Sequence, residues 1–316
     1  MTFLPNVVVH CDWSLSQKKR FFAHATRRPD GWTVHATRPV PAEPVSLINL
    51  WAKQQIFLGL DLPLGVPLAW AQQVGVSSFP QLLRLLADPQ PLWDRFFEVA
   101  ETPAEIGLHR PFYPKRPGGT KLHHLVDGLN LQDASQLRRL CDRPTDKRGA
   151  AAPLFWTMGA QQVGKAALSA WQQLLIRLVM GGFDCKLWPF DGRLAQFKSH
   201  QLVVAEVYPA EMYGHVGIEF PVINAKRTGK RSQVARAHNG AKMFGVGQRL
   251  NVVFDGASTA EIERGFGNGA DGEDRFDALV GLLGMLLVLE GEVAEGYPAE
   301  WQIRQIEGWL LGLSGR

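Results

Sequence analysis

Cysteine is scarce in this sequence, and its scarcity excludes several classes of protein. Three cysteines are spread over 316 residues, and none belongs to a CxxC pair of the kind used by structural zinc sites and redox motifs. Long apolar runs are also missing, because the longest, Leu279 to Leu289, is too short to cross a bilayer. The first residues have the pattern of a strand and not of a signal peptide, so we expect a cytoplasmic protein without a membrane partner.

Charge is neither abundant nor one-sided. Hydrophobic residues make up 46% of the chain and charged residues 20%, a balance typical of a globular protein with a sizeable core and not of a disordered one. The formal net charge of +4 is compatible with a polyanionic partner but does not require one, since the distribution of charge matters more than its sum.

The first part of the chain has an α/β rhythm. Strands are predicted at 6–12, 20–25 and 32–37, and the stretch RRPDG between the last two has hairpin turn chemistry, so the three indicate an antiparallel meander. A short helix is predicted at 44–53. The continuous apolar run at 55–61 is typical of a strand covered on both faces.

In the middle of the chain, from residue 63 to about 158, proline-rich stretches alternate with stretches of helical pattern. We interpret this region as a helical insertion in a single domain spanning 1–316. Beyond it the pattern predicts a long amphipathic helix at 159–180, strands at 184–189 and 201–207, a helix within 232–249 and an apolar helix at 274–289. Together these elements predict an α/β fold whose mixed sheet, an antiparallel meander and then parallel strands, is flanked by helices.

Carboxylates follow the predicted strands at their ends. Asp12 ends the first strand, Asp61 ends the strand after the first crossover, and Glu206 ends a later strand. Acids at strand ends point into the crevice where α/β sheets bind ligands. A single Asp at a strand end is as often a turn former or a helix cap, but their recurrence at successive elements favours a shared site.

The last predicted helix adds two more acids. Asp274, Asp277, Gly281, Gly284 and Val288 share one helical face. Glycine on that face permits a close approach to a sheet, and the two acids would then project toward the strand ends.

Several carboxylates cannot crowd together ionised without a compensating charge. Oxygen-only ligands suit Mg²⁺ or Mn²⁺ and not zinc. One or two such ions can activate a water and stabilise the leaving oxygen of a phosphodiester.

The motifs around these acids resemble a known family along most of the chain. Asp12 in the first strand, LDLPLG with Asp61, EVYPAE with Glu206, GKRSQVARA, and DRFDALVG with Asp274 and Asp277 are similar to domain-of-unknown-function family 429, whose members are predicted ribonuclease H-like nucleases. The resemblance implies a ribonuclease H-like fold and a metal-dependent nuclease. It implies Asp12, Asp61, Glu206 and one or both of Asp274 and Asp277 as catalytic metal ligands.

Basic residues follow the Glu206 strand. The spacing of Lys230 and Arg231 after Glu206 matches the family pattern, and we expect them, with Lys226, to hold the phosphates of a nucleic acid. A second basic stretch, at 110–121, contains aromatic residues; it suits base stacking, or is simply a solvated face.

Two other functions stay open. The stretch at 159–166 nearly spells a phosphate-binding loop, but Ala166 stands where Ser or Thr should ligate Mg²⁺. We therefore interpret this stretch as the start of a helix. An ATP-dependent phosphotransferase on the same core is the weaker alternative, because the chain has one set of core strands and no glycine pair near Asp12. A module of the same fold that binds nucleic acid or protein without catalysis is the other.

Overall fold

The chain is an α/β protein in the computed structural model, which describes residues 3–88, 90–145, 148–159, 163–220, 222–223 and 226–314. Its internal contacts divide it into two compact units. The first unit consists of Met1–Asp61, Leu194–Gly296 and Leu311–Ser314, and the second of Leu62–Arg193, Tyr297–Leu310 and Gly315–Arg316.

The secondary structure alternates strands and helices along the chain. The strands are β1 (Val7–Asp12), β2 (Phe21–Arg28), β3 (Gly31–Pro39), β4 (Ile56–Leu60), β5 (Cys185–Leu187), β6 (Leu202–Glu206), β7 (Val222–Ile223), β8 (Lys226–Arg227) and β9 (Val252–Phe254). The α-helices are α1 (Ser46–Asn49), α2 (Leu68–Val74), α3 (Phe79–Ala87), α4 (His123–Gly128), α5 (Val163–Ala170), α6 (Ile176–Met180), α7 (Pro209–Val216), α8 (Gln233–His238), α9 (Gly240–Arg249), α10 (Gly256–Glu263) and α11 (Gly272–Leu289). Within the described ranges, no helix has both the length and the apolar character needed to cross a membrane.

The first unit is built on a mixed sheet. Six of its strands lie in the order β6–β4–β1–β2–β3–β9. Strands β1, β2 and β3 pair antiparallel, which confirms the predicted meander. Strand β4 runs parallel to β1, and β6 runs parallel to β4, so the predicted parallel strands are confirmed as well. Strand β9 pairs parallel with β3 and was not predicted from the sequence.

The three parallel strands β1, β4 and β6 are buried along their whole length. Burial on both faces explains why their sequences are continuous apolar runs without alternation. In the register of the sheet, Leu60 pairs with Cys11 on one side and with Glu206 on the other. The carboxyl ends of these strands therefore meet at one edge, where Asp12, Asp61 and Glu206 follow.

Helix α11 packs directly against this sheet. A methyl group added to Gly281 would overlap the imidazole ring of His10 in β1, so the predicted close approach is confirmed at this position. Gly284 instead makes room for Met212 of α7. The His10 ring also bonds to the helix, since its Nδ1 lies 3.0 Å from the carbonyl oxygen of Ala278 and donates to it in the Nδ1–H tautomer.

The second unit contains the predicted insertion at 63–158 and extends beyond it. Its aromatic core includes Trp70, Phe96, Phe112, Phe155 and Trp171. A buried ion pair reinforces it, in which the Arg139 guanidinium donates to both carboxylate oxygens of Asp142 at 2.9 Å. The Glu307 carboxylate accepts from the backbone N–H of Leu68 at 3.0 Å, so the 303–307 turn is bound to the insertion.

Two predicted helices have different forms in the structure. The helix expected over 159–180 consists, in its described part, of α5, a π-helical turn (Trp171–Leu175) and α6. Residues 160–162 of the phosphate-loop-like stretch lie outside the described residues. The helix predicted within 232–249 is two helices, α8 and α9. Asn239 separates them, and its side-chain amide donates to the carbonyl oxygens of Glu219 and Ala235.

We expect Gly281→Ala to lower the free energy of unfolding by about 1–3 kcal/mol, because the new methyl group forces α11 away from His10. Gly245→Ala is the matched control, since Gly245 also lies inside a helix but has open space around it. That change should raise the free energy of unfolding by up to about 1 kcal/mol, the difference in helix propensity. Urea denaturation measures both, and equal effects would contradict the close contact.

Candidate functional site

Five carboxylates gather where α11 meets the carboxyl ends of the parallel strands. The negative charges of Asp277, Asp61 and Asp274 all act on Asp12. Glu206 acts in turn on Asp61. The structure therefore brings together every acid that the sequence predicted for the site, all within the first unit.

Most of this carboxylate cluster (Asp12, Asp61, Glu206, Asp274 and Asp277) is shielded from water. The exposed fractions are 8% for Asp12, 4% for Glu206 and 2% for Asp277, while Asp61 and Asp274 are half-buried. Shielding matters because bulk water cannot screen like charges that lie inside the protein. Each acid of the cluster therefore makes the ionisation of its neighbours more costly.

A proton on Asp12 would relieve part of this repulsion, because the side chains of Asp12 and Asp61 lie within hydrogen-bonding reach of each other. Burial raises the pKa of Asp12 well above its ordinary value, and the charges of Asp277 and Asp61 raise it further. Burial, followed by Asp277, raises the pKa of Asp61 to about 7, while a hydrogen bond donated by the Asp12 carboxyl opposes that rise. A protonated Asp12 beside an Asp61 that titrates near neutrality is the expected state of such a pair.

Asp274 has a carboxylate oxygen that lacks a hydrogen-bond partner in the described structure. Burial raises its pKa to about 6, against the lowering effect of the Lys19 charge. Its Oδ2 atom is buried and has no hydrogen-bond partner among the described residues. A buried, unpaired carboxylate oxygen is costly and marks a place where a cation or a donor group would be stabilised.

Asp277 is held on both of its oxygens. The Tyr213 hydroxyl donates to Oδ1 and the Lys230 ammonium donates to Oδ2. Burial lowers the pKa of Lys230, but the Asp277 carboxylate outweighs that effect and raises the pKa above its ordinary value. For Tyr213 both effects have the same sign, because burial and then the Asp277 charge raise the pKa of its hydroxyl. Lys230 is therefore a charged partner of the cluster.

Sequence reasoning missed Tyr213. This residue lies on α7, which begins just after Glu206 and was not predicted as a helix. The only local signal is Pro209 at the start of α7, a residue favoured at the first helical position.

The turn after Asp12 is fixed by the packing and hydrogen bonds of Arg20. The Arg20 guanidinium lies 4.2 Å from the centre of the Trp13 ring, and its Nε donates to the carbonyl oxygen of Ser14 at 2.6 Å. Arg20 is almost fully buried. A stacked and hydrogen-bonded arginine of this kind holds the backbone beside Asp12 in one conformation.

The predicted phosphate-binding residues have different surroundings. Arg231 is exposed, and its Nε lies 3.9 Å from Glu273 Oε2. Lys226 lies in β8, whose side chains are outside the described part of the chain. In the other basic stretch, Lys115 pairs with Glu101 at 2.5 Å and Arg110 with Glu105 at 3.1 Å; these ion pairs favour a solvated face there.

The cluster in its present arrangement is not a preformed metal site. Among the residues that the structure describes, no group of three or more His, Cys, Asp or Glu side chains is arranged so that it could hold a metal ion. In this arrangement Asp277 accepts from Tyr213 on one oxygen and from Lys230 on the other.

The raised pKa of Asp61 predicts how stability depends on pH in metal-free buffer. Because the folded state binds this proton more tightly than the unfolded state does, its contribution is fully present below about pH 4 and is lost as pH rises through about 7. Asp61→Asn should therefore match the wild type near pH 4 and become increasingly more stable up to pH 7. A tenfold difference in proton affinity corresponds to about 1.4 kcal/mol.

Urea denaturation at several pH values measures this difference between the two proteins. The comparison cancels the opposite pH dependence expected of His10 and His24, whose burial lowers the pKa of each to about 4. Asp30→Asn makes the same chemical change at an exposed turn and is the matched control. A pH-independent difference for Asp61→Asn would contradict the raised pKa.

No model of a protein family, no curated protein and no solved structure matches this chain. The function of the carboxylate cluster must therefore be inferred from its own residues and from their surroundings.

Proposed function

We propose that this chain is a metal-dependent nuclease that hydrolyses phosphodiester bonds at the carboxylate cluster. The observation that carries the proposal is the convergence of five carboxylates, from three strand ends and one helix, at a single buried edge of the sheet. Acids gathered in this way destabilise the fold. Such a cost is characteristic of functional sites and not of structural ones.

The donor chemistry of the cluster fits a hard divalent cation. All five candidate ligands are carboxylates, which suit Mg²⁺ or Mn²⁺, and the unpartnered Oδ2 of Asp274 is an oxygen that such an ion would satisfy. Asp12, Asp61, Glu206, Asp274 and Asp277 are the residues that would hold it. When bound, the ion would supply an activated water and stabilisation of the leaving oxygen.

The sheet supports a ribonuclease H-like fold as part of the proposal. An antiparallel meander followed by parallel strands, with Asp12 at the end of the first strand, is the pattern implied by the family resemblance. Likeness of fold is weaker support than the site itself, because one fold hosts many functions.

Nucleic acid is the substrate class that the charges favour. The side chain of Arg231 is 86% exposed and lies next to Lys230, so it is accessible to a phosphate group. Phosphate contacts of this kind position a nucleic acid without reading its sequence. The mild positive charge of the whole chain is compatible with such a partner.

One observation favours a non-catalytic binding module as the second candidate. The ion pair of Lys230 with Asp277 compensates charge within the chain, and the raised pKa values of Asp12 and Asp61 favour a proton on that pair. A cluster compensated in this way can persist without any metal ion.

The first test is calorimetric titration of Mn²⁺ into the wild type and Asp61→Asn, with labelled single-stranded and branched DNA and RNA assayed alongside. We expect the wild type to bind Mn²⁺ and to cleave a substrate. Asp61→Asn should lose both without a fall in its melting temperature, because the neutral amide removes a ligand and also removes repulsion.

Asp30→Asn makes the same chemical change at an exposed turn and should behave as the wild type. A folded wild type that neither binds Mn²⁺ nor cleaves nucleic acid would show that the nuclease proposal is wrong. Nucleic-acid binding without turnover would favour the module.

A further inference from the structure

The Lys230 ammonium enters the carboxylate cluster from a segment whose backbone is anchored. Arg236 is almost fully buried, and its guanidinium donates to the carbonyl oxygens of Lys230, Gly265 and Gly267. These three bonds fix the backbone at Lys230 but leave its side chain free to turn. The Lys230 side chain is 43% exposed, whereas the side chain of its partner Asp277 is only 3% exposed.

The two contacts of Asp277 differ in how easily they can be broken. Tyr213 lies on α7, a helix packed against α11, and its hydroxyl comes from a side chain with few rotatable bonds. Lys230 reaches Asp277 through a long, flexible stem, and an ammonium is a compact point charge that water solvates well. Of the two, Lys230 is the contact that can leave without moving a helix.

Asp277 needs a cation wherever it is ionised. A buried carboxylate left without a countercharge is strongly destabilising, and this one lies among other acids. The ammonium of Lys230 meets the need in the present arrangement, and it takes an oxygen that a divalent cation would otherwise use.

We propose that Lys230 is a resident cation, which holds the place of the divalent ion on Asp277 and is displaced when that ion binds. The inference rests on the proposed function and deepens it, because metal uptake becomes the exchange of one cation for another. The exchange lowers the affinity for the metal. It also releases the ammonium next to the exposed Arg231, where both charges can bind the phosphates of a nucleic acid.

The test is calorimetric titration of Mn²⁺ into the wild type, Lys230→Met and Arg231→Met. Lys230→Met should bind Mn²⁺ roughly tenfold or more tightly than the wild type, because no ammonium competes for Asp277. Arg231→Met removes the same charge from the adjacent residue, which contacts Glu273 and not Asp277. Its affinity should change by no more than roughly threefold, the weak effect of an exposed and screened charge.

Melting temperatures in chelator and in Mn²⁺ provide a second readout. Without metal, Lys230→Met should melt below the wild type, because Asp277 has lost its countercharge, and Mn²⁺ should raise its melting temperature more than it raises that of the wild type. If this variant does not fold, Lys230→Arg replaces it in the titration. A guanidinium grips a carboxylate with two donors, so Mn²⁺ affinity should then fall below that of the wild type.

The outcomes separate this inference from the proposed function. Wild-type binding of Mn²⁺ with equal or weaker binding by Lys230→Met would overturn the exchange and leave the metal site intact. If Arg231→Met gained the same Mn²⁺ affinity, the loss of any nearby positive charge would explain the gain. That result would also overturn the exchange. Failure of the wild type and of a folded Lys230→Met to bind Mn²⁺ would overturn the metal site, and the exchange with it.

Discussion

Repulsion among carboxylates is the constraint on which the rest of this site depends. Five acids converge at one edge of a sheet, and most of them are shielded from water. The surroundings contain the repulsion by different means. Burial raises the pKa of Asp12 and of Asp61, which favours a proton on the pair, and Asp277 is bound by an ammonium and a phenol. Asp274 retains an oxygen with no partner in the described structure. The negative charge is thus compensated at Asp277 but only incompletely at Asp274.

The fold itself forces these charges together. Parallel pairing of β4 with β1 and of β6 with β4 fixes three of the acids at one edge through backbone hydrogen bonds. The other two arrive on α11, whose approach to the sheet is set by the contact of Gly281 with His10. None of these constraints depends on the carboxylates, so burial of apolar surface elsewhere in the unit stabilises their proximity.

The elements that the sequence predicts well are those with a strong local pattern. Strands β1 and β4 and helix α11 are long, continuous and apolar, so their positions and the acids at their ends follow from periodicity. Strand β9 has three residues and no pattern to detect. The break at Asn239 depends on hydrogen bonds to distant carbonyl groups. The contacts of Tyr213 and Lys230 with Asp277 join residues 64 and 47 positions apart, and no local pattern reports on the reach of a side chain across such a separation.

The position of α11 along the chain has a consequence for the order in which the protein is made. His10 and Ala278, whose carbonyl oxygen accepts from the His10 ring, are brought together only when a late helix docks on the earliest strand. Contacts of such large sequence separation form slowly, because closing a long loop costs conformational entropy before the contact stabilises the fold. A nascent chain on the ribosome therefore carries the three acids at the ends of β1, β4 and β6, but lacks Asp274 and Asp277 until α11 is synthesised. Any activity of the cluster begins only then.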